Sequence, residues 1–420
     1  MTDETRQESG VRLLTFGCRL NTCEAETMRR LAREGGLGDI VIVNTCSVTA
    51  EAGRQVRQGI RRAHKENPSA RIVVTGCAAE LEPEAFAAMP GVFRVIGNAR
   101  KLDAEAWRAD FPGKIATGEP LSGKRRMPVA GGEGRTRAFV QVQDGCNHRC
   151  TYCVVPQARG PSRSFDADDV IREVRAAIGD GRREVILTGV DIAAWGADLP
   201  EPSTLARLVQ RILDDVPGLP RLRLSSLDPS AVDAELIDLL LHEKRLMPHV
   251  HLSVQAGDDM VLARMRRRHR REDVIALCKR LRAGREGMAI GADFITGFPT
   301  ETDAMFENTL RLVDEAGIVF LHVFPYSERP GTPAARMPQV PKPVRRARAS
   351  RLRALGEVGL ARFLEGLAGW ETAMVVERGG MGHAENFVSI RPSRSCSVGD
   401  IVRVRLGSAE GGIVVGEVLS

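Results

Sequence analysis

Gly145-Cys146-Asn147-His148-Arg149-Cys150-Thr151-Tyr152-Cys153 is a C-x3-C-x2-C run that follows directly on a strand-like segment, Ala138-Phe139-Val140-Gln141-Val142-Gln143. Three thiolates this close can wrap one face of an iron-sulfur cubane and ligate three of its irons, leaving the last iron open to a small molecule. Zinc is the first alternative, although a structural zinc site takes its ligands in two separated pairs. His148 would then complete the set, but it lies inside the loop, where closure is awkward. Disulfides are the second alternative, and an odd number of thiols does not suit them. Inert thiols complete the range of readings.

Beyond the loop, strand-like and helix-like stretches alternate. Strands are expected at 184–188, 222–225, 251–254, 291–295 and 320–323, and helices at 168–178, 203–215 and 272–285. Together with 138–143 this is the pattern of a parallel barrel, or part of one, with its chemistry at the strand carboxyl ends. Asp191, Ser225, Ser226 and Gln255 fall at such ends, although each also suits an ordinary cap or turn.

Upstream, Cys18, Cys46 and Cys77 each end a short apolar strand candidate, at 11–17, 39–45 and 71–76, with helix-like stretches at 24–34 and 51–65 between them. Strand-helix alternation of this kind implies parallel strands joined by right-handed crossovers. All three cysteines then reach one sheet edge, where open α/β sheets hold their ligands. They could hold a second cluster; the alternative is three small buried hydrophobes. Cys23, Cys278 and Cys396 lack this placement and read as structural. Past residue 370, short β-rich pieces at 372–376, 385–390, 401–406 and 413–418 suggest a small antiparallel barrel.

A chain of 420 residues suggests two or three domains. Residues 1–10 lack the apolar stretch of a signal peptide, and no window is long and apolar enough to span a membrane. With an odd cysteine count this fits a reducing cytosol, so a cytoplasmic location is expected. The net charge is +6. Arginine clusters in two places, at 264, 266, 267, 268, 270 and 271 and at 345, 346, 348, 351 and 353. Such patches suit a polyanion such as RNA, or else form solvated helix faces. The Gly-, Pro- and base-rich stretch 112–134 reads as a linker.

The cysteine loop resembles the signature of radical S-adenosylmethionine (SAM) enzymes. With Thr15-Phe16-Gly17-Cys18-Arg19-Leu20-Asn21, Asn44-Thr45-Cys46-Ser47-Val48-Thr49 and Thr75-Gly76-Cys77-Ala78, the chain resembles the methylthiotransferases over almost its whole length. That resemblance implies an α/β fold in three parts: an open parallel α/β cluster-binding domain at 11–122, a radical-SAM partial (β/α)6 barrel at 132–365, and an antiparallel TRAM barrel at 366–420. It implies two 4Fe-4S clusters, one on Cys146, Cys150 and Cys153 and one on Cys18, Cys46 and Cys77, with SAM as co-substrate and no catalytic residues beyond the clusters.

The segments 44–52 and 159–164 look most like the branch acting on N6-threonylcarbamoyladenosine at position 37 of tRNA. The alternatives are N6-isopentenyladenosine in tRNA, a ribosomal protein, or a non-catalytic iron-sulfur RNA-binding protein. Sulfur and a methyl group would enter at carbon 2 of the adenine, a C–H bond beyond ordinary acid-base chemistry, so the cofactor carries the hard step. The implied partners are the tRNA anticodon stem-loop and an electron donor such as a flavodoxin or ferredoxin. Tyr152, Glu173, Asp191, Ser226 and Gln255 are the candidates for contacting SAM, and Asp293 and Tyr326 for the barrel mouth.

Overall fold

The computed structural model of the protein describes residues 2–8, 10–119, 127–128 and 136–419. The expected linker at 112–134 lies mostly outside the described residues, as do the expected boundaries at 122 and 132.

Runs such as Ile40-Val41-Ile42-Val43 favour strand because their branched side chains pack well on a pleated surface covered on both faces. They sit in a six-stranded sheet ordered β1 (Thr2–Glu8), β2 (Val11–Phe16), β3 (Ile40–Thr45), β4 (Arg71–Gly76), β5 (Val92–Ile96) and β6 (Ile115–Ala116). β1 runs antiparallel to β2, and all the other pairs are parallel. Helix α1 (Arg19–Glu34) packs Met28 and Leu31 against Leu13, Ile40 and Ile42 on one face. Helix α2 (Ala50–Glu66) packs Val56 and Ile60 against Leu14, Val41 and Val43 on the other. Short helices α3 (Cys77–Leu81) and α4 (Pro83–Ala87) follow β4. Three strands were expected here, and β1, β5 and β6 extend the sheet. β1 is polar throughout, and β5 carries Arg94 at its centre, which hides its apolar pattern. That guanidinium is buried and donates to the carbonyls of Ala106 and Arg108 at 3.0 and 2.8 Å.

The second unit begins with β7 (Arg137–Gln141), followed by a two-stranded hairpin, β8 (Gln143–Asp144) and β9 (Arg163–Ser164), which encloses the cysteine loop and α5 (Val155–Arg159). Then α6 (Ala167–Gly179), β10 (Glu184–Thr188), α7 (Leu205–Asp215), β11 (Arg221–Leu224), α8 (Ala234–His242) and β12 (His249–Gln255) alternate. After α9 (Asp259–Met265) and α10 (Arg271–Gly284) come β13 (Ala289–Thr296), α11 (Asp303–Ala316), β14 (Phe320–Pro325) and α12 (Lys342–Glu365). The strands form two parallel three-stranded sheets, β11-β10-β7 and β12-β13-β14. Isolated parallel bridges, Leu222 to Leu246 and Leu227 to Leu252, carry one sheet into the other. The result is a partial barrel whose apolar outer layer includes Val174, Val185, Val209, Leu252 and Phe294.

The third unit is a closed barrel of β15 (Glu371–Val376), β16 (Gly382–Ala384), β17 (Ser389–Pro392), β19 (Ile413–Val418) and β18 (Ile401–Glu410). The strand expected at 385–390 is instead largely the turn between β16 and β17. Phe387 sits there with φ 71°, in the left-handed region that a bulky side chain seldom adopts. Tertiary packing outweighs local propensity here: its ring lies 4.8 Å from the ring of His249 on β12, centre to centre, stacked.

The two arginine clusters are only partly surface. Arg345 is buried against Glu328 at 3.0 Å, and Arg348 against Glu301 at 2.7 Å. Arg267 pairs with Asp228 at 3.2 Å and Arg271 with Glu315 at 2.7 Å. Arg266, Arg268, Arg270, Arg346, Arg351 and Arg353 are exposed. The expected patches therefore divide between ion pairs that hold the core and a smaller basic surface.

Candidate active site

Two glycines place the first cysteine set. Gly17 and Gly76 end β2 and β4 at φ 98° and 97°, where other residues are strained. A methyl group on Gly17 would lie 2.5 Å from Cβ and 2.7 Å from Sγ of Cys46. One on Gly76 would lie 2.5 Å from the carbonyl oxygen of Thr45. The three strand ends therefore crowd together at one sheet edge, bringing Cys18, Cys46 and Cys77 together as the alternation of elements predicts. Asn21 donates to the carbonyls of Phe16 (2.8 Å) and Thr45 (3.0 Å), and Asn44 donates to the carbonyl of Asn21 (3.0 Å). The Thr45 hydroxyl accepts from the amides of Ala78 and Ala79 at 3.0 and 3.1 Å. We expect Gly17→Ala to disorder this edge and cost about 1–3 kcal/mol of stability, read by denaturant unfolding.

The C-x3-C-x2-C loop is pinned from below. Buried Gln143 donates to the carbonyls of Asp144 (3.0 Å) and Gly145 (2.8 Å) and accepts from the amide of Asp191 at 2.8 Å. Gly145 faces the carbonyl of Pro161 so closely that a Cβ would lie 1.9 Å from its oxygen. Thr151 is tied to the carbonyls of Arg264 and Met265 at 2.8 and 3.1 Å. Arg267 donates toward Sγ of Cys150 at 3.7 Å.

Burial pushes the thiols up: Cys46 and Cys146 to about 12 and Cys153 to about 11, with neighbouring sulfurs adding to each shift. Cys18 is open to the cavity described below yet walled by protein elsewhere, and this desolvation raises its thiol too, as does the sulfur of Cys77. Cys77 also acts on Cys153, and α3, which begins at Cys77, packs on α5 just past the loop, so the two triads lie near one another. The amides of Val48, His148 and Val155 point at the sulfurs of Cys46, Cys146 and Cys153 at 3.5, 3.4 and 3.4 Å.

A buried polar network joins the first two units. Arg159 donates to Glu24 (3.0 Å), Asp144 (2.9 Å) and the amide oxygen of Asn21 (2.9 Å). Lys101 lies 2.5 Å from Glu24 and donates to Asn98 at 2.8 Å, and Asn98 donates to the carbonyl of Ala158 at 2.7 Å. This network fixes one triad relative to the other.

All three units meet at a cavity of about 300 Å3 inside the partial barrel. Cys18 and Arg19 come from the first unit, Ser225, Ser226, His251 and Asp293 from the barrel strands, and Phe387 from the third. Ser226 lies 2.7 Å from Ser253 and 3.5 Å from Asp293. Asp293 is held by His251 at 3.0 Å and His322 at 3.3 Å. Burial opposes the charge on Asp293, but these two histidines outweigh it and hold the carboxyl well below the usual range. Asp228 behaves alike: burial opposes its charge, and His269, Arg267 and Ser230 outweigh it. Folded values below an unfolded value of about 3.9 mean that both carboxylates stabilise the fold above about pH 4, and that this is lost as pH falls toward the folded values. The melting midpoint should therefore drop on acidification through this range, and less steeply in Asp293→Asn.

Of the residues expected to contact SAM, Asp191 lies beside the cysteine loop, 2.8 Å from His148. Ser226 lines the cavity. Gln255 ends β12 with φ 73°, a strained conformation of the sort kept at functional sites. The Tyr152 ring packs edge-to-face with Phe298, centres 6.4 Å apart, and Tyr326 does the same at 5.5 Å, so both belong to an apolar cluster beside the loop. Glu173 lies on helix α6, close enough to Cys23 for its charge to act on that thiol. Cys23 is buried, with its thiol 3.1 Å from the carbonyl of Phe139 at the joint between α1 and β7. His251, His322 and Asp228 were missed. The first two sit on alternate, lumen-facing strand positions that period-two reading could have found. Nothing local marks Phe387.

Residues 140–313 match the Radical SAM superfamily, and residues 10–97 match Uncharacterized protein family UPF0004. The chain is 44% identical to the threonylcarbamoyladenosine tRNA methylthiotransferase MtaB of Rickettsia prowazekii, over 98% of this chain and 97% of that one. It is 36% identical to MtaB of Bacillus subtilis, over 82% and 79% of the two chains. To the tRNA-2-methylthio-N(6)-dimethylallyladenosine synthase of Erythrobacter litoralis it is 34% identical, over 99% and 98%. Among solved structures, the radical SAM methyltransferase TsrM from Kitasatospora setae shares the fold, with TM-score 0.51 at 17% identity over 90% of this chain and 76% of that one. The chain belongs to the methylthiotransferase family of radical SAM enzymes. Membership implies a 4Fe-4S cluster and SAM. Among the described residues, no helix is long and apolar enough to cross a membrane.

Proposed function

We propose that this enzyme inserts a methylthio group at carbon 2 of N6-threonylcarbamoyladenosine at position 37 of tRNA, acting in the cytoplasm. The observation that carries the reading is the 44% identity to a threonylcarbamoyladenosine tRNA methylthiotransferase over nearly the whole of both chains. Two cysteine triads, one of which reaches the cavity through Cys18, support it.

The donor sets fit the proposed groups. Cys146, Cys150 and Cys153 would hold one 4Fe-4S cluster and Cys18, Cys46 and Cys77 a second, because each set offers three sulfurs and leaves one iron open. Raised thiols stay protonated without metal, and amides aimed at Cys46, Cys146 and Cys153 suit sulfur that has lost its proton. Bound there, the clusters and SAM supply the one-electron chemistry that breaks an unactivated C–H bond and the sulfur that replaces the hydrogen. The chain's own part is positional. Arg267 and Gln143 hold the loop, Asp191, Ser226 and Gln255 offer polar groups for SAM, and the Arg159 network sets the spacing of the triads. Phe387 lines the cavity. Residues 11–122, 132–365 and 366–420 would act as the cluster, radical-SAM and TRAM units, with the exposed arginines and the last barrel facing the anticodon stem-loop. A flavodoxin or ferredoxin would supply electrons.

Nucleosides from tRNA of a strain lacking the gene, read by mass spectrometry, should lack the methylthio form of threonylcarbamoyladenosine. Loss of the methylthio isopentenyl derivative instead would contradict the reading.

A further inference from the structure

Three guanidinium groups surround the Phe387 ring at the cavity floor: Arg19 at 5.7 Å, Arg137 at 5.6 Å and Arg223 at 5.2 Å from its centre. Two of them are committed. Arg223 pairs with buried Glu184 at 2.8 Å and donates to the carbonyls of Glu385 and Ala384 at 2.8 and 2.7 Å. Arg137 pairs with Glu377 at 3.2 Å. Among the described residues Arg19 makes no hydrogen bond or ion pair with a carboxylate or carbonyl, Glu184 and Asp293 acting on its charge only from a distance, although it lines the cavity directly beside Cys18. The cavity's own carboxylate, Asp293, is occupied by His251 and His322. A guanidinium held over an aromatic face and otherwise unmatched has its planar fork free for a carboxylate.

The substrate proposed above carries one. The threonyl group hangs from N6, and N6 and carbon 2 lie on the same edge of the adenine ring. Sulfur brought to carbon 2 from the triad containing Cys18 therefore approaches from the side on which the threonyl group lies. We propose that Arg19 binds the threonyl carboxylate of the substrate nucleoside and sets the preference for it over an uncharged N6 substituent such as isopentenyl. The inference rests on the threonylcarbamoyl reading. An apolar substituent in the same place would leave Arg19 unmatched and partly desolvated, which costs binding.

The test uses the reconstituted holoenzyme with three anticodon stem-loop RNAs, one carrying threonylcarbamoyladenosine, one its methyl ester, which removes the charge and adds a methyl group, and one its primary amide, which removes the charge at nearly the same size and should behave as the ester does. The wild type should show a KM roughly 10- to 100-fold higher for the ester at similar kcat. Arg19→Gln should raise the KM for the acid by a similar factor and remove the preference, with iron content unchanged, while Arg19→Lys should keep a weakened preference for the acid. Equal KM values for acid and ester in the wild type would overturn the proposal without any variant. So would an Arg19→Gln protein that keeps the wild-type preference. A wild type that modifies none of these RNAs but does modify isopentenyladenosine RNA would instead overturn the substrate reading, and this proposal with it.

Discussion

Replacing Cys146, Cys150 and Cys153 together by alanine is expected to abolish methylthio insertion and to remove about half of the iron, leaving the other cluster in place. The reason is spatial separation of function. The loop hangs from the end of the β7 segment and is anchored by Gln143 and Thr151, whereas Cys18, Cys46 and Cys77 stand on the strand ends of the first sheet. The reciprocal triple change at Cys18, Cys46 and Cys77 should also remove about half of the iron. It should leave SAM cleavage measurable as 5'-deoxyadenosine while ending sulfur transfer. Iron assay and product analysis on the two variants separate these outcomes. Full iron retention in either variant would show the ligand assignment to be wrong.

The second large effect concerns Arg159. Its side chain is buried and contacts Glu24, Asp144 and Asn21, residues from both sides of the joint between the first two units. Burial opposes its charge, but Glu24 and Asp144 outweigh that cost and hold the guanidinium firmly protonated. Arg159→Met would keep much of the side-chain length and leave two buried carboxylates with less positive charge between them. Breaking a buried pair from one side costs about 3–5 kcal/mol. Denaturant unfolding should show a loss of that order, smaller if Lys101 takes up Glu24 alone. Activity should fall further than stability implies, because the same network fixes the separation of the triads.

Most of the architecture was legible because its elements announce themselves by period. β3 and β4 are apolar runs ending in cysteine, and the barrel strands recur at helix-length intervals. Parallel pairing then carried Cys18, Cys46 and Cys77 to one edge with no further information. What stayed hidden depends on contacts between distant parts of the chain. β1 is a polar edge strand whose pairing with β2 leaves no apolar trace in sequence. Arg345 and Arg348 read as a basic face but answer Glu328 and Glu301, residues that sequence spacing does not connect to them. Phe387 lies in what reads as a strand, and its left-handed turn makes sense only once His249 and Arg223 are seen around its ring.

The proposed reaction is tested most simply in a single anaerobic mixture of reconstituted enzyme, SAM, a reductant and tRNA carrying threonylcarbamoyladenosine, with the nucleosides analysed by mass spectrometry. The products should be 2-methylthio-N6-threonylcarbamoyladenosine together with 5'-deoxyadenosine. Formation of 5'-deoxyadenosine with no methylthio nucleoside from this tRNA, while tRNA carrying isopentenyladenosine is converted, would contradict it.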